Sequence, residues 1–283
     1  MKRPAFQASS ASAEGIELHC KARGTGLPLL FIAPAGGNGD VYLQAADILS
    51  KTYRVLTYDR RVVAGKTDAR TFDILQQSRD ACAVLSHFGV ETAYVAGSGI
   101  GAIIALAVAA EFPAYVRAVV AHEPTLASLD SNGAELFKQC AELAKFEGAK
   151  KALEALLKGS EIPAFKLSLA ERQASFYARA ERRQKSKDNP EDKLQELLEA
   201  STSVLNLKAV RAPAYVACGQ YALGRKTWVA GVASAISGTL SCELATFPGH
   251  HGSYMDRPDE WAAALRKALQ KSRIKPGRLG AGV

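Results

Sequence analysis

The sequence predicts an α/β fold: a mostly parallel central sheet with helices on both faces and an inserted helical cap. Three observations predict it. Short apolar runs of strand length alternate with longer segments of helical periodicity, the pattern of parallel strands joined by crossover helices. One run, Ala93 to Ala102, reads as strand, tight turn and helix start in immediate succession. Between Pro124 and Lys208 the alternation stops and amphipathic helical patterns replace it.

Taken in order, Gly15–Cys20 reads as a first strand, Gly24-Thr25-Gly26 as a turn, and Leu29–Ile32 as a buried strand. Tyr53–Tyr58 is a further strand ending at Asp59, and Thr71–Phe88 a helix closed by Gly89. Thr92–Ala96 leads into the turn, and an apolar helix, Ala102–Phe112, stops at Pro113, which cannot continue it. Strands recur at Val116–Ala121, Ala214–Cys218 and Cys242–Phe247, and a last helix spans about Asp259–Lys271. In the interruption, Ala134–Leu157, Leu169–Gln184 and Glu191–Leu205 read as three amphipathic helices, with Lys185–Pro190 a polar break. The division expected is a core of residues 1–123 and 209–272, a cap of 124–208 over the carboxyl ends of the strands, and a basic tail, 273–283.

With 283 residues, 48% hydrophobic and 23% charged, the chain can bury a large core. Nothing in it reads as a transmembrane span or secretory signal. Cys20, Cys82, Cys140, Cys218 and Cys242 are odd in number and scattered without metal or redox spacing, so reduced thiols in a cytoplasmic protein are expected, with no cofactor and no metal. Six of the basic residues behind the net charge of +8 lie between Arg266 and Val283, where there is no acidic residue. A basic helix end followed by a frayed terminus accounts for them. No nucleic acid or membrane partner is expected; the expected ligand is a small, partly apolar molecule, and a homodimer is compatible with the sequence.

The turn holds the central question. Gly97-Ser98-Gly99-Ile100-Gly101 has the shape of the nucleophile elbow G-x-S-x-G, in which serine is exposed on a strained strand-to-helix turn. Gly97 and Gly101 supply the small flanks, so Gly99 occupies the nucleophile position. Centring the motif on Ser98 makes Ala96 and Ile100 the flanks, and a β-branched residue crowds a position that wants glycine. Ser98 is then a polar residue serving the local backbone.

Leu29–Gly37, Thr57–Arg61, the elbow, Ala121-His122-Glu123-Pro124 and Phe247-Pro248-Gly249-His250-His251 together resemble the α/β-hydrolase superfamily over nearly the whole chain. Within it the likeness is to hydrolases with a short helical cap, including zearalenone-lactonase-like proteins. The resemblance implies that His251, counted back from Pro258, is the base, with His250 as fallback. Many relatives place an aspartate after the strand that here is Ala214–Cys218, but Gly219–Gly224 contains no carboxylate. The lactonase-like relatives place a glutamate at the end of the preceding strand, here Glu123. The resemblance also implies an oxyanion hole from the backbone amides of Ala35 and Ile100. The oxyanion loop departs from the usual His-Gly signature, carrying Ala33-Pro34; Pro34 has no N–H, but Ala35 does.

Glycine forms no acyl-enzyme, and three readings stay open on the sequence. A His251–Glu123 dyad can move protons or activate water while the amides hold an oxyanion, as an esterase-like or lactonase-like enzyme, a lyase or an isomerase. A pseudo-hydrolase can bind a small ligand without turning it over. An engineered or allelic Ser-to-Gly form of an ordinary hydrolase has the same sequence.

Overall fold

The computed structural model describes residues 6–64, 72–161 and 189–274. Eight strands form one sheet: β1 (Gln7–Ala13), β2 (Ile16–Arg23), β3 (Leu27–Ile32), β4 (Tyr53–Tyr58), β5 (Ala93–Ser98), β6 (Val116–His122), β7 (Ala214–Gly219) and β8 (Leu244–Phe247). Their spatial order is β1-β2-β4-β3-β5-β6-β7-β8. β1 pairs antiparallel with β2 and β2 with β4; every other pairing is parallel. The central strands are buried on both faces and rich in Val, Ile, Leu and Ala, as a sheet covered by helices on both sides requires.

On one face pack α1 (Leu43–Leu49) and the last helix, α11 (Pro258–Ile274), around an aromatic cluster of Phe31, Tyr42, Phe247, Tyr254 and Trp261. On the other lie α3 (Ile74–His87), α4 (Ile100–Glu111) and α9 (Trp228–Leu240). The short helices are α2 (Arg61–Ala64), α8 (Gln220–Arg225) and α10 (Ser253–Asp256). α4 is buried from Ile100 through Ala109, which explains a helix that is apolar all round. α3 starts on an Asp73 side chain that accepts from the Leu75 and Gln76 amides, satisfying two donors left over at a helix start.

The described part of the cap is α5 (Ser131–Glu147), α6 (Ala149–Gly159) and α7 (Pro190–Ser201). The single helix expected over Ala134–Leu157 is two. Gly148, at φ +84°, breaks it, since that backbone conformation ends a helix and suits glycine. Leu194 of α7 packs on Ala149 and Ala152 of α6, and α7 also touches α4 and α5. The helix expected at Leu169–Gln184 lies outside the described residues. So does the tail from Lys275, while the last helix runs through Ile274, beyond the boundary expected at 273.

Candidate active site

The sheet register assembles the site. Ser98 and His122 are paired neighbours at the ends of β5 and β6. The residues that follow them, Gly99 and Glu123, therefore emerge side by side at the carboxyl edge, where ligands bind in open α/β sheets. The Gly99 amide donates to the His122 carbonyl (3.0 Å) and the Glu123 amide to the Ala217 carbonyl (2.8 Å), tying both turns to the sheet.

The elbow is closely packed at both flanks. A Cβ on Gly97 would meet the Gly101 carbonyl oxygen at 2.2 Å, and one on Gly101 would meet the Ile32 carbonyl oxygen at 2.1 Å. No side chain fits either flank. Gly99 has φ +58° and ψ −122°, a conformation strained for any residue with a side chain. A Cβ there would lie 3.2 Å from His251 Nε2, 3.3 Å from His251 Cε1 and 3.8 Å from Pro34 Cβ. Position 99 thus faces both the imidazole and the loop that carries Ala35. Ile100 is the first residue of α4, and its N–H belongs to the group of donors a helix start leaves without intrahelical acceptors, at the positive end of the helix dipole.

Ser98 is fully buried and points the other way. Its hydroxyl pairs with His122 Nδ1 (3.0 Å), and its amide donates to the Tyr42 hydroxyl (3.0 Å), which in turn donates to the Ile32 carbonyl (3.2 Å). The side chain serves a buried network under the elbow, a wider role than the local backbone contact expected of it.

His251 and Glu123 meet: Nδ1 lies 2.8 Å from Oε2. An ionised carboxylate only accepts hydrogen bonds, so Nδ1 donates to Glu123 and the other ring nitrogen, Nε2, lies beside Gly99. Glu123 is 1% exposed. Burial raises the pKa of its carboxyl, but the His251 hydrogen bond, the neighbouring imidazoles and the Gly219 amide (2.9 Å to Oε1) outweigh burial and hold it well below the ordinary carboxylate range. Its backbone is left-handed, at φ +44°, an unusual conformation for a non-glycine residue and one concentrated at functional sites.

Gly219, at the end of β7, borders the same carboxylate. A Cβ at Gly219 would lie 2.8 Å from Glu123 Oε1 and 2.8 Å from the Gly249 carbonyl oxygen. The carboxylate from β6 fills the space that a side chain at position 219 would need.

His250, the fallback base, is placed elsewhere. Its Nδ1 accepts from the Gly252 amide (3.1 Å) and its Nε2 lies 2.7 Å from Asp256 Oδ2. Both ring nitrogens are engaged away from Gly99.

Two further contributors lie in stretches that carry the family resemblance, which gives neither of them a role. The His122 ring lies under the site, stacked on Phe247 at 5.4 Å and 6.3 Å from the His251 ring. The Arg60 guanidinium is fully buried beneath the Ala33–Gly37 loop. Burial, which disfavours the charged ring more than Glu123 favours it, pushes the His122 pKa down to about 4. A pKa lowered on folding stabilises the fold fully above the ordinary imidazole value of 6.5, and that contribution is lost as pH falls through about 4. The loss amounts to roughly 3 kcal/mol. Thermal melts between pH 7 and 4 should show this slope in the unmodified protein and a shallower one in His122→Gln.

The Alpha/beta hydrolase family model matches residues 29–264, and the chain belongs to this family. It is 27% identical over 268 residues to a Bacillus subtilis (strain 168) protein named uncharacterized hydrolase YraK, covering 92% of this chain and 94% of that one. Among solved structures it is similar to the enol-lactonase of Burkholderia xenovorans LB400, with TM-score 0.68 and 17% identity over 93% of this chain and 100% of the other. It is also similar to Est816, described as an N-acyl homoserine lactone degrading enzyme, with TM-score 0.69 and 19% identity over 92% and 99% of the two chains. These two likenesses are of fold. Among the described residues no helix is long and apolar enough to cross a membrane.

Proposed function

We propose that this α/β-hydrolase-family protein hydrolyses small, partly apolar esters or lactones by direct attack of water, with no acyl-enzyme. The observation that carries the reading is the coincidence of three groups at one point. His251 Nε2 lies 3.2 Å from where a side chain at Gly99 would begin, its Nδ1 is held by Glu123 at 2.8 Å, and position 99 is glycine. The dyad is built, and the side chain it would deprotonate in a serine hydrolase is absent.

In this mechanism Nε2 takes a proton from water as the oxygen adds to the substrate carbonyl carbon. The carbonyl oxygen becomes an oxyanion facing the Ala35 and Ile100 amides. Glu123 stabilises the imidazolium that forms. The tetrahedral adduct collapses, the C–O bond to the alcohol breaks, and the imidazolium returns its proton to the leaving oxygen. Ester and lactone chemistry is supported by the similarity to proteins named hydrolase and lactonase. The same dyad also suits a lyase or isomerase, in which Nε2 takes a proton from carbon.

The test is intact-protein mass spectrometry during turnover of p-nitrophenyl esters, including a slowly deacylating trimethylacetate. Turnover with no pre-steady-state burst and no acyl adduct is expected. An adduct on a serine would refute direct attack. Binding of esters and lactones without turnover would give the pocket a binding role instead.

A further inference from the structure

We infer that the buried pair Arg60–Glu196 is a positioning device, through which the seating of cap helix α7 sets the direction of the Ala35 N–H. This rests on the role given to Ala35 in the reading above. Arg60, just beyond β4, is fully buried. Its Nε donates to the Ala33 carbonyl (2.9 Å) and its Nη2 to the Pro34 carbonyl (2.7 Å). The guanidinium fork thus grips two successive carbonyls of the loop expected to supply the oxyanion amide.

The third guanidinium nitrogen, Nη1, lies 2.6 Å from Oε1 of Glu196, with Gln77 Oε1 at 3.4 Å. Oε2 of Glu196 accepts from the Gly36 amide at 3.0 Å. The ring of contacts closes on itself: loop carbonyls to Arg60, Arg60 to Glu196, Glu196 to the loop amide. Glu196 is 4% exposed and stands on α7 of the cap, far along the chain from both partners.

Peptide planarity gives the ring its consequence. The Pro34 C=O and the Ala35 N–H belong to one rigid plane and point in opposite directions. Pro34 O receives Arg60 Nη2 on one side and the Gly37 amide (3.0 Å) within the turn. Holding that oxygen holds the Ala35 N–H opposite to it. Pro34 itself lies against position 99, so this peptide borders the reacting centre. A buried guanidinium needs its counter-ion, and the counter-ion comes from the cap. Displacing α7 removes the anchor on Gly36 and takes the Glu196 carboxylate away from Arg60. The loop is therefore held at all its anchors only with α7 seated.

The sequence supplies a selective probe. Labelling proline at the carbonyl carbon and alanine at nitrogen gives amide signals only from Pro-Ala pairs, which here are Pro4-Ala5, Pro34-Ala35, Pro113-Ala114, Pro163-Ala164 and Pro213-Ala214. In Glu196→Ala the Pro34-Ala35 signal should shift or broaden while Pro113-Ala114 and Pro213-Ala214 stay in place. Glu196→Gln, whose amide oxygen can still accept from Gly36, should show a smaller change in the same direction. A Pro34-Ala35 signal unmoved in Glu196→Ala overturns the inference; if that variant does not fold, an unmoved signal in folded Glu196→Gln does so. Kinetics give the second readout. Loss of one oxyanion donor costs roughly 10²–10³-fold in kcat, so misdirecting it should lower kcat by about tenfold or more with KM little changed. A rise in KM alone overturns the positioning role. If the unmodified protein hydrolyses nothing, the proposed reaction fails, while the labelling experiment still decides this inference.

Discussion

Gly99→Ser should convert the protein into a serine hydrolase that forms a covalent acyl-enzyme. The geometry is close to what that chemistry requires: the new Cβ would lie 3.2 Å from His251 Nε2, with the Glu123 carboxylate already on the far side of the ring. That separation is tighter than ordinary van der Waals contact, so the imidazole must retreat by a few tenths of an ångström. It can, because His251 is on the lip of the site with 18% of its side chain exposed. The substitution also places a side chain at φ +58°, so a stability loss of about 1–3 kcal/mol is expected. Because His251 serves as base in both forms, the gain in p-nitrophenyl ester hydrolysis comes from replacing a free water by a held hydroxyl and should be about tenfold or more, and intact mass should show an acyl adduct absent from the unmodified protein. Ser98→Ala should leave activity nearly unchanged, since that hydroxyl pairs with His122 beneath the elbow. A correctly folded Gly99→Ser with no gain would mean that the loop or the dyad no longer supports acyl transfer.

The tight turn at residues 97–101 is legible in the sequence because it rests on a backbone constraint that leaves a residue signature. Gly97 and Gly101 are glycine since a Cβ at either would collide with a carbonyl oxygen, and position 99 lies between them on the turn. Glu123 is named in the sequence through the resemblance to lactonase-like relatives, and in the structure its carboxylate accepts from the Gly219 amide. The central strands are readable as apolar runs, several extending a residue or two beyond their expected bounds.

Other parts leave no such mark. β1 escapes a reading by pattern because Gln7–Ser12 is polar and lacks alternation; it exists as an edge strand paired along its length with β2. Helices Leu43–Leu49, Gln220–Arg225 and Trp228–Leu240 are likewise absent from the expected elements. The last is apolar on almost every side and contains Gly231 and Gly238, so neither periodicity nor propensity favours it. Arg60 lies within a stretch that carries the family resemblance, but its burial and its grip on the loop are tertiary facts. Glu196 is one of several acidic residues on α7. Nothing in helical periodicity separates it from Glu199, which accepts from the Phe72 amide instead.

Direct attack of water under His251 is tested by the steady-state hydrolysis rate of small activated esters and lactones by the unmodified protein and by His251→Ala. The imidazole at position 251 is placed to take a proton at the point where Gly99 leaves no side chain. Its removal should lower kcat/KM by roughly 10²–10⁴-fold, toward the background rate, with the fold retained in thermal melts. Unchanged turnover in a folded His251→Ala would contradict a role for this imidazole as base and move the chemistry to some other part of the molecule.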